Sequence, residues 1–93
     1  MYRVKNLTAN AIPQELSIPD GVESHYTIVI TNISNNKHIL IGDSAISTTN
    51  YGIRVEHDSS PLILENMAWT DRLYVICEDP LSTADVAVMI IER

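Results

Sequence analysis

Apolar residues recur at every second position along most of this chain. In HYTIVITNI (25–33), Tyr26, Ile28 and Ile30 fall on one side and Thr27, Val29 and Thr31 on the other. That alternation predicts a half-buried strand with β-branched residues on both faces. DRLYVICE (71–78) sets Leu73, Val75 and Cys77 against Tyr74 and Ile76, and ADVAVMIIE (84–92) puts Val86, Val88 and Ile90 in register. KHILIG (37–42) and PLILEN (61–66) are shorter apolar runs of strand length, while YRVKNLT, QELSI and GIRVE carry the pattern more weakly. No segment keeps a helical period. SSPLILENMAW (59–69) comes nearest, but its Leu62-Ile63-Leu64 run is short and rich in β-formers. There is no internal repeat and no low-complexity tract.

Turn residues separate these runs. Pro19-Asp20-Gly21 combines a preset φ with a residue that accepts positive φ, and Asn35-Asn36 tolerates the left-handed region. Asp58-Ser59-Ser60-Pro61 and Asp79-Pro80 are further breaks. Eight strands at a spacing of about 8–12 residues suit a sandwich or barrel. The expectation is an all-β chain: an antiparallel β-sandwich, jelly-roll or Ig-like, with about eight short strands arranged as a meander in two packed sheets. The whole chain, 1–93, reads as a single domain, with 1–14 as an N-terminal arm or first strand.

Composition sharpens this picture. A 93-residue chain with one cysteine forms no internal disulfide, and a core of this size is marginal alone. Added burial is therefore expected from oligomerisation or a partner. Twelve acidic against six basic residues, a net charge of −6, exclude phosphate-driven nucleic-acid binding and attachment to an anionic membrane. Residues 1–14 stand apart, with Arg3 and Lys5 and no acid. The segment reads as a basic first strand or as an arm on an acidic partner surface. The start lacks the apolar run of about 7–15 residues that a secretory signal needs, so synthesis in the cytoplasm is expected. No apolar stretch approaches membrane-spanning length.

The polar stretch IGDSAISTTNYGIRV (41–55) is the first candidate for chemistry. Ser44 lacks the glycine two residues on that a nucleophile elbow requires. His57 and Asp58 are adjacent, and neighbouring strand residues point to opposite faces, so Asp58 does not orient His57. The expected role of the hydroxyls is to satisfy the loop's own backbone. His25, His38 and His57 show no ligand spacing, and Asp43 and Asp58 lack the company of a calcium loop. Cys77, mid-strand, reads as a small hydrophobe. The expectation is a protein that is not an enzyme and needs no cofactor or metal. In ENMAWTD (65–71), Met67 and the single tryptophan, Trp69, either plug one end of the core or form an exposed binding anchor.

Ile41-Gly42-Asp43-Ser44, the Ser47-Thr48-Thr49-Asn50 stretch, Gly52 and Leu73-Tyr74-Val75-Ile76 together give an I-G-x-S strand end, a Ser/Thr stretch, a turn and an L-Y-V-I strand. This pattern, over residues 26 to 92, resembles small structural proteins of tailed bacteriophages. The resemblance implies a capsid decoration, or cement, protein: a β-sandwich homo-oligomer, with a trimer favoured, on the outer shell of the virion. Its partner would be the major capsid protein or another virion protein. It would act by bridging coat subunits, with the segment 1–14, including Arg3 and Lys5, and one loop set against the shell. Deleting residues 1–12 should then abolish shell binding and leave the fold intact. Alternatives are a head–tail or tail connector, and a carbohydrate- or receptor-binding module using Ser47, Thr48, Asn50 and Tyr51.

Overall fold

The computed structural model describes residues 2–16, 25–67 and 72–92. The Pro19-Asp20-Gly21 turn and Trp69 lie outside them. Within them the chain is all-β, with eight strands in two four-stranded antiparallel sheets. In order these are β1 (Tyr2–Ala9), β2 (Gln14–Glu15), β3 (Tyr26–Asn32), β4 (Ile39–Gly42), β5 (Ile53–Val55), β6 (Leu62–Met67), β7 (Tyr74–Cys77) and β8 (Ala84–Glu92). Every run of alternating residues supplies one of them, including the three weaker ones. Residues 2–9 of the basic N-terminal segment are strand, paired along their whole length to β8.

Strand order departs from a meander. One sheet runs β1-β8-β3-β6 and the other β2-β7-β4-β5. Only β4 and β5 pair with a sequence neighbour; β3 pairs β6, β2 pairs β7 and β1 pairs β8, each pair enclosing the one before. The chain is thus one long hairpin, its tip at residues 43–52, folded over into two layers. A period of two records which face a residue occupies and says nothing of which strand lies beside it.

Both sheets feed one core. Ile28, Ile30, Val86, Val88 and Ile90 from the first meet Ile39, Ile41, Val55, Val75 and Cys77 from the second. Cys77 is fully buried and free. Strand β3 alternates buried and half-buried without a break, as the sequence predicts.

The alternation also places Asn32 inward, in line with Tyr26, Ile28 and Ile30, where it is the buried polar residue of the described core. Its Nδ2 donates to the carbonyls of Lys37 at 2.8 Å and Val55 at 3.1 Å. Its Oδ1 accepts from Ser34 N at 3.1 Å and Ser34 Oγ at 2.6 Å. One amide therefore ties the end of β3 to the end of β5 in the opposite sheet and shapes the turn between β3 and β4.

Candidate functional site

The tip loop, 43–52, is built from its own polar groups. Asp43 Oδ1 accepts from Ala45 N at 2.9 Å, and Asp43 O from Ile46 N at 3.0 Å. Ser47 and Asn50 exchange two backbone bonds across Thr48-Thr49, and Asn50 Nδ2 donates to Ala45 O at 3.1 Å. Ser47 Oγ sits 3.3 Å from Thr49 Oγ1. These bonds hold Ile46 over Leu40 and Ile76, which lie on the outward side of β4 and β7 and would otherwise meet water. All three are buried. The loop is a cover for the second sheet, which is why β4 is apolar on both faces. Thr48, Asn50 and Tyr51 stay exposed, and Tyr51 and Asn50 line a shallow hollow of about 260 Å3 with Gly42, Asp43 and Gly52.

Ser47 and His57 lie at opposite ends of β5, so no serine–histidine pair forms. His57 pairs instead with His38: the rings are 5.3 Å apart and tilted, and His57 N donates to His38 Nδ1 at 3.3 Å. His57 Nδ1 is buried without a hydrogen-bond partner. Among the described residues no three His, Cys, Asp or Glu side chains gather around a common point.

The loops at this end are tied by charge. Arg54 Nη2 donates to Glu78 Oε1 at 3.1 Å and Nη1 to Glu56 Oε1 at 3.0 Å. Lys37 Nζ meets Asp79 Oδ2 at 3.2 Å. The Arg54 guanidinium holds the Glu78 carboxyl below the usual carboxylate range. The Leu81 N–H, then the Ser82 hydroxyl and the Lys37 ammonium, do the same for Asp79. Both groups bind fewer protons folded than unfolded. Their stabilisation is therefore complete above the ordinary carboxylate range, about pH 4–5, and is lost as pH falls through the lowered folded values. Melting temperature is expected to drop between about pH 5 and 2.5, and less steeply in Glu78→Gln and Asp79→Asn. A slope unchanged by both substitutions would remove these carboxyls from the account.

The outward face of the first sheet differs from that of the second. Val4 pairs with Met89, Met89 with Val29, and Val29 with Ile63, so four apolar side chains form one row across all four strands. Val4 is 63% exposed and Ile63 56%. The neighbouring row, Asn6-Ala87-Thr31, carries no charge. Ile91, next to Thr27, extends the apolar area on the other side. Within the described strands, the ionisable groups on this face are Asp85 at one end, bonded by Thr8 Oγ1 at 3.0 Å, and Glu65 on the edge strand β6, with the exposed His25 just before β3.

No protein-family model matches this chain, and comparison with the curated proteins and with the solved structures gives no match either.

The residues singled out in the sequence fall in separate places. Arg3 and Lys5 lie on the core side of β1, and Lys5 Nζ donates to Glu15 O in the other sheet at 2.9 Å. Met67 turns inward and packs against the core. Thr48, Asn50 and Tyr51 share the tip loop, and Trp69 lies outside the described residues. The sequence reading missed Asn32, Ile46 and the apolar row. Asn32 could have been found, since its parity places an amide on an apolar face; the row needed the pairing.

Proposed function

We propose that this protein is a structural subunit of a tailed-bacteriophage virion, a decoration protein that sits on the outer shell and bridges coat subunits. One observation carries the assembly part of this reading: the second sheet covers its own outer face with Ile46, whereas the first leaves a continuous apolar face on an acidic chain. A contiguous exposed apolar patch on a small soluble domain marks contact with other protein. The nested strand order supports a β-sandwich of the jelly-roll kind over the Ig-like alternative, which splits its strands ABED and CFG. Jelly rolls, with eight strands in two Greek keys, serve viral capsids and also lectins. Fold alone does not choose between those two, so the site must.

The shell contact is assigned to the loop end. Leu81, 95% exposed, and Ile12, 70% exposed, project from turns held by Asp79 and Asn10. Two rigid aliphatic knobs suit apolar pockets on a coat protein. A subunit that engages two coat chains links them, so opening the shell must break both contacts. This moves the shell contact from Arg3 and Lys5 to the turns that carry Ile12 and Leu81, because Lys5 is already engaged within the fold.

Cosedimentation with purified phage shells tests the assignment. Leu81→Ser should reduce shell binding at least about tenfold while shifting stability by no more than about 0.5 kcal/mol, as expected for an exposed site. Full binding by Leu81→Ser combined with Ile12→Ser would remove the loop end from the mechanism. Absence of the chain from purified virions would remove the decoration role itself.

A second reading has one observation in its favour: Tyr51, 45% exposed, borders the hollow with Asp43 and Asn50. An aromatic face beside an amide and a carboxylate suits a sugar. Much of that polar set, however, is engaged by the loop itself. Binding on a glycan array, lost in Tyr51→Ala, would favour it. A ring-sized assembly would favour a connector.

A further inference from the structure

We propose that the outward face of the β1-β8-β3-β6 sheet binds a second copy of this chain, face to face across a two-fold axis. The inference deepens the assembly reading above and rests on it only for its setting, since the interface is a property of the isolated chain.

The geometry favours the face over the edges. Exposed sheet edges attract new strands, and each edge here carries a guard. Strand β1 points Lys5 inward to the other sheet. Strand β6 carries an irregularity where its pairing with β3 shifts register, next to Asn66 with φ at 60°. Strands β2 and β5 are two and three residues long. A bulge, an inward charge and a short strand are all devices that block edge pairing. What remains open is the flat face.

The size of the face matches a second copy. Strands about 4.8 Å apart, rising about 3.3 Å per residue, give this sheet roughly 450 Å2 in projection. Two such faces, corrugated by their side chains, remove on the order of 1,000 Å2 or more from water, where specific interfaces begin. Charge points the same way. Two chains of net charge −6 repel wherever acids meet, so they can close only on a surface whose centre is uncharged. The rows Val4-Met89-Val29-Ile63 and Asn6-Ala87-Thr31 form that centre, with Asp85 and Glu65 at the margins. Such a patch is self-complementary, apolar row on apolar row, as a two-fold interface requires. Sheets of this kind pack about 10 Å apart with strands within about 30°. The dimer would carry two copies of the Leu81 and Ile12 knobs, which is the bivalency that bridging needs.

Sedimentation equilibrium on the purified chain at about 50 µM is the test, a concentration above the Kd of most specific interfaces. The wild type should run at twice its 10.4 kDa chain mass. Val4→Glu/Ile63→Glu changes two side chains that are more than half exposed in the single chain, so the far-UV circular dichroism should be unchanged. It should weaken self-association by about 100-fold or more, because like charges then face each other in an apolar contact. Should the double variant fail to fold, each single variant serves in its place. A wild-type monomer, a trimer or ring, or a dimer indifferent to these substitutions would each overturn the proposal. Loss of shell binding in the variant, with a monomeric wild type, would overturn it too by assigning the face to the coat protein. The shell assay judges the decoration role separately, because one knob-bearing chain still binds one coat subunit.

Discussion

A chain lacking residues 1–12 is expected not to fold. Read from the sequence, this basic segment could be an arm whose loss spares the domain. In the structure it is strand β1, paired residue by residue from Tyr2↔Ile91 to Ala9↔Ala84. Its deletion strips one side of β8, the strand that carries Val86, Val88 and Ile90 into the core. Ala9 is fully buried, Leu7 packs on the core, and Lys5 links the two sheets through Glu15 O. Asn10 O also accepts from Cys77 N at 2.9 Å, so the deletion frays β7 as well. Each ladder bond contributes about 1 kcal/mol net. Several of these, with the lost apolar burial, match the whole stability of a chain this size, roughly 5–14 kcal/mol. Far-UV circular dichroism and a thermal melt of the truncated chain provide the check. A cooperative melt close to that of the full chain would show that β1 is dispensable and restore the arm reading.

Asn32→Leu is expected to destabilise the fold by about 3 kcal/mol or more, lowering the melting temperature by about 12–24 °C. The two side chains share one branched outline, so the effect is chiefly chemical, with some overpacking from the larger leucine. Four hydrogen bonds disappear together. The Val55 carbonyl lies on the buried side of this set and loses the Nδ2 donor. A buried polar group left unpaired costs about 1–3 kcal/mol, and Val55 O is such a group, while Lys37 O keeps the Ser34 hydroxyl at 2.7 Å. The apolar gain from leucine offsets part of that. Asn32→Asp separates the two halves of the amide: it keeps the acceptor toward Ser34 and loses the donor toward Lys37 and Val55. It also sets a buried carboxylate oxygen against those two carbonyls, so it should cost at least as much as leucine. A loss below about 1 kcal/mol in Asn32→Leu would mean that the network does not join the sheets.

Both expectations turn on facts that differ in how far the sequence discloses them. The strands are legible because side-chain direction alternates with position, a local property of extended backbone. Tyr26, Ile28 and Ile30 must share a face wherever β3 lies, and the same parity points Asn32 inward. The tip loop is legible in part: short polar side chains between Gly42 and Gly52 imply bonds to their own backbone, and the structure contains them. The cover that Ile46 provides is not legible, because Leu40 and Ile76 come from strands 36 residues apart in sequence. The inward placement of Arg3 and Lys5 is hidden for a similar reason. Their charge suggests solvent, and only the position of β2 across from β1 supplies the carbonyl that Lys5 meets.

By itself, then, the order of residues determined an all-β chain of eight short strands, the faces those strands bury, and an acidic charge balance. Tertiary structure decided the partners: β1 beside β8, β3 between β8 and β6, and hence a row of Val4, Met89, Val29 and Ile63 drawn from four distant segments. The physical reason is that hydrophobic burial is non-directional and acts on a face, so one alternating pattern serves several strand orders. Which strand lies beside which is settled by loop reach, register and the joint packing of two sheets, and an outer surface exists only once that choice is made.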